Sequence, residues 1–277
     1  MTNNDVLAER TRIEGLVASR TLIDMLAATA RDKADDPAYS DRHHVLEGES
    51  WRTITWAQTR ERALDVAVAF MARGVAPDDT VAIMASNRTE HYLADMGAVH
   101  ADATPMSIYN TLSTDQVAFI ASESRPTAVV LETADHLARW TKAIDEVDSI
   151  TTVVVLDAAI APEGEKYVTW DDLIALGADK REELASELEE RIAHVTSDTP
   201  ATILYTSGTT GNPKGVVLTH HNVVYETLST LEAAGLQDPQ VAVSYLPLAH
   251  IAERVLGLYG PQIQGCLLYT SPSPRDS

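Results

Sequence analysis

The chain has 277 residues, enough to bury the core of one large or two ordinary domains, and its 45% hydrophobic content lies in the globular range. Lys and Arg number 21 against 41 Asp and Glu, a formal charge of -20 that repels nucleic-acid phosphates and anionic membrane and excludes a general polyanion binder. A small anionic ligand then needs a local positive pocket, which Lys214 can supply.

One cysteine, Cys266, excludes an internal disulfide and a cysteine-built zinc cage. It reads as a small buried apolar residue and fits a reducing cytosol, hence a cytoplasmic expectation. Asp5, Glu9 and Glu14 stand where a secretory signal would carry basic residues, and no uninterrupted apolar run is long enough to span a bilayer.

Leu22, Met25, Leu26 and Ala30 recur at helical spacing, which predicts a first amphipathic helix over Thr21 to Arg31; Asp35 to Arg42 reads as loop. Thr55 with Gln58 forms a capping box, and Leu64, Ala67, Val68 and Met71 follow on one helical face until Gly74 closes it. Strand and helix then alternate. Thr80 to Met84, Ala103 to Ile108, Thr127 to Leu131 and Thr151 to Leu156 are predicted strands. The predicted helices between them are Thr89 to His100, one begun by the capping box Ser113/Gln116, and Ala134 to Ile144. Runs such as Val153-Val154-Val155-Leu156 suit strands covered on both faces, so the fold class is α/β with mainly parallel sheets flanked by helices. Ala161 to Tyr167 reads as a surface connection and Asp179 to Arg191 as a charged, solvated helix.

The decisive stretch is Tyr205-Thr206-Ser207-Gly208-Thr209-Thr210-Gly211-Asn212-Pro213-Lys214-Gly215. Thr206, Ser207, Thr209 and Thr210 offer hydroxyls, Gly208, Gly211 and Gly215 let backbone N–H groups approach an anion, and Lys214 adds a compact positive charge. The apolar run Ala201 to Tyr205 precedes it and Gly215 to Thr219 resumes a strand, so the loop joins two strands. A Walker A loop opens a helix and ends in Gly-Lys-Ser/Thr; here Pro213 precedes Lys214, Gly215 follows it, and that reading fails on spacing.

Tyr205 to Gly215 resembles the phosphate loop of the adenylate-forming superfamily, which includes acyl-CoA synthetases, luciferases and nonribosomal-peptide adenylation domains. Leu246-Pro247-Leu248-Ala249-His250 and Ser107-Ile108-Tyr109-Asn110-Thr111 are similar to the long-chain fatty acyl-CoA synthetase branch, and the likeness covers Thr21 to Gly265. The resemblance implies activation of a fatty acid with ATP to acyl-AMP and pyrophosphate, then transfer to coenzyme A. It implies that Thr206, Ser207, Gly208, Thr209, Thr210, Gly211 and Lys214 hold the triphosphate, that Thr206 ligates Mg²⁺, and that His250 donates to an acyl oxygen. A histidine merely hydrogen-bonded in a turn is the competing account of His250. Glu253 and Arg254 are expected to pair with each other or face solvent. Where some relatives carry an aromatic gate to the acyl channel, this chain has Arg254.

By the same resemblance, residues 1–265 are an incomplete N-terminal AMP-binding domain. The glutamate motif, the ribose-binding aspartate, the hinge and the C-terminal domain with its lysine belong further on, so this piece alone is expected to be inactive. Residues 266–277 depart from the pattern, resemble translated sequencing-adapter sequence, and are expected to be non-native or a disordered Ser/Pro tail. Ligases for medium-chain, aryl or amino acids, and a truncated non-catalytic interaction protein, stay open as alternatives. Peripheral membrane association of the complete enzyme also stays open, with no basic patch arguing for it.

Overall fold

A computed structural model describes residues 3–43, 51–206, 212–236 and 241–270 of the chain. It begins with α1 (Asn3–Val17) and α2 (Leu22–Asp32). The predicted amphipathic helix is α2, entered through a reciprocal cap between Thr21 and Asp24. Helix α1 escapes sequence reading because its apolar residues form no continuous stripe: Ile13 and Val17 are buried while Leu7 and Leu16 are exposed.

Asp35 to Arg42, expected as loop, holds strand β1 (Pro37–Asp41). Its polar residues are buried only because tertiary partners satisfy them. Ser40 Oγ lies 2.8 Å from Thr53 Oγ1 on β2 (Arg52–Thr55), and Asp41 accepts the Thr89 N–H at 2.9 Å as well as the Thr89 hydroxyl. The Thr55/Gln58 capping box opens α3 (Trp56–Ala72) as predicted, and Gly74, at φ 92°, ends it in a conformation that favours glycine.

The alternating stretch follows: β3 (Thr80–Met84), α4 (Thr89–His100), β4 (Thr104–Ser107), α5 (Thr114–Ser124), β5 (Ala128–Leu131), α6 (Ala134–Glu146), β6 (Thr152–Val155) and β7 (Tyr167–Thr169). The predicted charged helix is interrupted: Asp179 lies at the end of α7 (Trp170–Lys180), and α8 (Ala185–His194) begins after a break at residues 181–184. Helix α7 lies against α3 so closely that a Cβ on Gly177 would sit 1.9 Å from the Asp65 carbonyl oxygen, and Arg181 seals the contact on Asp65 at 2.6 Å.

With β8 (Pro200–Thr206) and β9 (Lys214–Thr219), these strands form a seven-stranded sheet in the order β7-β6-β5-β3-β4-β8-β9, parallel except for β9. Successive side chains point to opposite faces. Val81, Ile83, Val130 and Val154 join the core beneath α3 and α4, whereas Ala82, Met84, Val129, Leu131, Val153 and Val155 join the one beneath α5 and α6. The apolar strands are thus covered on both sides, as their composition requires.

The remaining elements are α9 (His220–Ala233), β10 (Val241–Ser244), a short turn α10 (Ile251–Glu253), a π-helical turn Arg254–Tyr259, α11 (Gly260–Gln264) and β11 (Leu267–Thr270). A second, four-stranded sheet runs β10-β11-β1-β2, with only β2 antiparallel. Residues 267–270 of the segment expected to be non-native or a disordered tail form strand β11. Leu268 and Thr270 are buried and the strand lies between β10 and β1, while residues 271–277 lie outside the described residues. Cys266, entering β11, is buried and free as expected, and burial pushes its thiol up to about 11.

Candidate active site

Strands β3, β4, β5 and β8 run parallel, so their carboxyl ends open on one edge of the large sheet, where ligands of open α/β sheets bind. The phosphate-loop candidate leaves this edge from β8. It closes an antiparallel hairpin whose last paired residues are Tyr205 with Gly215 and Thr206 with Lys214. Both Thr206 and Lys214 are exposed, and the Thr206 hydroxyl donates to the Lys214 carbonyl at 3.5 Å, at the long limit for such a bond. Ser207, Gly208, Thr209, Thr210 and Gly211 lie outside the described residues. The hairpin therefore brings together the two ends of the loop, a hydroxyl and an ammonium, on one rim.

Among the described residues no cluster of three His, Cys, Asp or Glu side chains is placed to hold a metal ion. The exposed Thr206 hydroxyl fits a Mg²⁺ that takes most of its oxygens from phosphate and water, the usual habit of that ion at nucleotides.

His250 heads α10. Its Nδ1 accepts the Ala252 N–H at 3.2 Å, its carbonyl accepts the N–H groups of Glu253 and Arg254, and its own N–H donates to Pro247 O at 2.8 Å. The imidazole is exposed, and with Nδ1 engaged by the cap, Nε2 is the nitrogen free to meet a ligand. The turn-capping account and a ligand-facing role are thus compatible in one side chain.

Glu253 and Arg254 neither pair with each other nor face solvent. Glu253 is buried: Oε1 accepts from Ser244 Oγ at 2.5 Å and Oε2 accepts the Leu246 N–H at 3.2 Å. Arg254 is wholly buried and donates to Asp95 Oδ2 at 2.5 Å, Ser107 Oγ at 2.6 Å and Tyr259 OH at 2.8 Å. Burial opposes the guanidinium charge, but Asp95 and Tyr259 more than offset it and raise its pKa. Sequence reading missed Asp95 and Tyr259. The available signal was an aspartate inside a helix that is buried all round, α4.

Between β9, α9 and the turn after His250 lies a cavity of about 410 Å³, walled by Leu218, Val223, Tyr225, Ile251 and Val255 with His221 and Glu226 at polar points. None of the sequence-predicted site residues lines this cavity: Leu218 lies on β9 four residues past Lys214 and pairs with Thr202, at the end of the hairpin away from the loop, and Ile251 follows His250. A second cavity, about 430 Å³, lies at α8 among Pro77, Asp102, Glu190, Arg191 and His194 and contains none of the sequence-predicted site residues.

The sequence matches the AMP-binding enzyme family over residues 26–277, nearly its whole length. The chain belongs to that family. Like this AMP-binding chain, a long-chain-fatty-acid–CoA ligase of Xenopus laevis shares 28% identity over 219 residues, which is 77% of this chain and 29% of the relative. The Drosophila melanogaster long-chain-fatty-acid–CoA ligase heimdall is 26% identical over 275 residues, 95% of this chain and 39% of its own length. This AMP-binding chain thus spans about a third of the curated relatives it matches. The apo structure of MbtA from Mycobacterium smegmatis superposes with a TM-score of 0.75 at 23% identity, covering 97% of this chain and 48% of that one, a likeness of fold.

Proposed function

We propose that this chain is the ATP- and acyl-binding part of a long-chain-fatty-acid–CoA ligase. The observation that carries the reading is the AMP-binding family match over residues 26–277 together with the β8–β9 hairpin, which sets the exposed Thr206 and Lys214 side by side at the carboxyl edge of the large sheet. In the first step a carboxylate oxygen forms a bond to the α-phosphorus of ATP, the bond from that phosphorus to the bridging oxygen breaks, and pyrophosphate leaves. The hydroxyls and amides of residues 206–211 and the Lys214 ammonium meet the negative charge that spreads over the leaving group. Thr206 would hold a Mg²⁺, which would supply further neutralisation of that charge. His250, through Nε2, donates to the carboxyl oxygen that is not attacking. In the second step the coenzyme A thiolate attacks the acyl carbonyl and AMP departs.

The relatives' names support a fatty acid as substrate, and the free, buried Cys266 supports a reducing, cytoplasmic setting. Because the chain spans 29% and 39% of those relatives, we further propose that residues 1–277 bind substrates without completing the thioester.

The test is palmitate-dependent ATP–pyrophosphate exchange by the whole enzyme. Lys214→Ala and Thr206→Ala, both at exposed positions, should lower exchange about a hundredfold while leaving the melting temperature unchanged. Exchange that needs no fatty acid, or that survives both substitutions, overturns the reading.

A further inference from the structure

Two neighbouring charged residues pull the turn after His250 in opposite directions. Glu253 reaches to the four-stranded sheet, through Ser244 at the end of β10 and the Leu246 N–H. Arg254 reaches to the seven-stranded sheet, through Asp95 on α4 and Ser107 at the end of β4. Ser107 Oγ also lies 2.9 Å from His91 Nε2, and burial together with the Arg254 charge holds that imidazole down to about 4, so it is neutral. The turn is therefore strung between both sheets by buried polar contacts.

A buried ion pair is a poor device for stability alone, since apolar side chains of similar volume hold an interior at least as well. What such a pair does supply is one permitted geometry. The backbone here is π-helical over Arg254–Tyr259, a rare form associated with functional sites. It is specified closely: a Cβ on Gly257 would lie 2.0 Å from Glu253 Oε1. His250 stands directly before this turn, and Ile251 and Val255 wall the 410 Å³ cavity.

We propose that Arg254, held by Asp95, is a positioning residue that fixes the His250 imidazole and the Ile251–Val255 wall in one arrangement about the cavity. The functional meaning rests on the acyl-adenylate reading above; the mechanical claim does not. Arg254 touches no substrate. It acts by denying the turn the other helical registers that a neutral residue would permit.

The experiment measures amide hydrogen exchange over residues 251–259, above all the Ala252 amide that donates to His250, together with palmitate binding by the 277-residue chain. Asp95→Asn and Arg254→Lys are compared with Val117→Ala, a buried change in the core on the far face of the large sheet. Both clamp variants should speed exchange in the turn about tenfold beyond the control and weaken palmitate binding by a similar factor. Tyr259→Phe, which removes one acceptor from Arg254, serves if the stronger variants do not fold, with acceleration of about threefold. Exchange over 251–259 no faster than in the control overturns the proposal. A wild-type chain that binds no palmitate overturns the acyl reading instead, and the exchange result still decides the clamp.

Discussion

Three histidines show how burial becomes pH dependence. His91, His100 and His220 are buried, and the loss of hydration holds each imidazole down to about 4. An unfolded histidine titrates near about 6.5, so between about 6.5 and about 4 the unfolded chain binds protons that the folded chain refuses. Stability therefore falls as pH drops through that window and stops falling, on their account, below it. Burial also opposes the Glu90 charge, yet Arg88 and Arg52 overcome it and hold the carboxyl down to about 2, so protonation of the unfolded glutamate extends the loss further into acid. Urea unfolding should show stability lower at pH 4.5 than at pH 7 by several kcal/mol, on the order expected for such shifts. A flat profile between those values would contradict the burial of these imidazoles. At the same scale, Arg254, expected to pair with Glu253 or to face solvent, is wholly buried and bonds elsewhere. Asp95, 159 positions away in sequence, supplies the opposite charge that this burial requires.

Elements were legible where local chemistry decides them. The capping boxes Thr55/Gln58 and Ser113/Gln116 form as spaced, because both partners lie within one helical turn. The strands β3, β5 and β6 follow from uninterrupted apolar runs. Strands β1 and β11 were not legible, and they are hydrogen-bonded to each other in parallel, Tyr39 with Leu268 and Ser40 with Tyr269. Neither run is distinctive alone; pairing across the length of the chain makes both. Ending the chain at Gly265 should therefore remove the strand that joins β10 to β1 and, with Leu268 alone, about 2 kcal/mol of buried apolar surface. Thermal unfolding of residues 1–265 should lie many degrees below that of 1–277, and equal melting curves would show that β11 contributes nothing.

At the scale of the molecule, apolar surface lies open at the sheet edges among the described residues. Strand β10 ends the four-stranded sheet with Val241 and Val243 exposed, Tyr245 beyond it is 73% exposed, and β9 ends the large sheet with Val216 and Val217 exposed. Exposed edges of this kind pair with other chains, and the charge of -20 slows that association without covering the patch. Residues 1–277 should elute as concentration-dependent oligomers in light-scattering chromatography, shifting toward monomer in Val243→Lys. A monomer at all concentrations would show that these edges do not associate.

The order of elements, the two-sided burial of the large sheet and the β8–β9 hairpin follow from apolar periodicity, capping pairs and the glycine-hydroxyl stretch between two apolar runs, all of which act within a few residues. The second sheet, the cavity between β9 and α9 and the buried contacts of Arg254 depend on residues that meet only after folding. Asp95 with Arg254, Ser244 with Glu253 and Tyr39 with Leu268 carry no mark of one another in the chain. A charge can be read as buried only when the partner that compensates its lost hydration is in place, and that is decided in three dimensions.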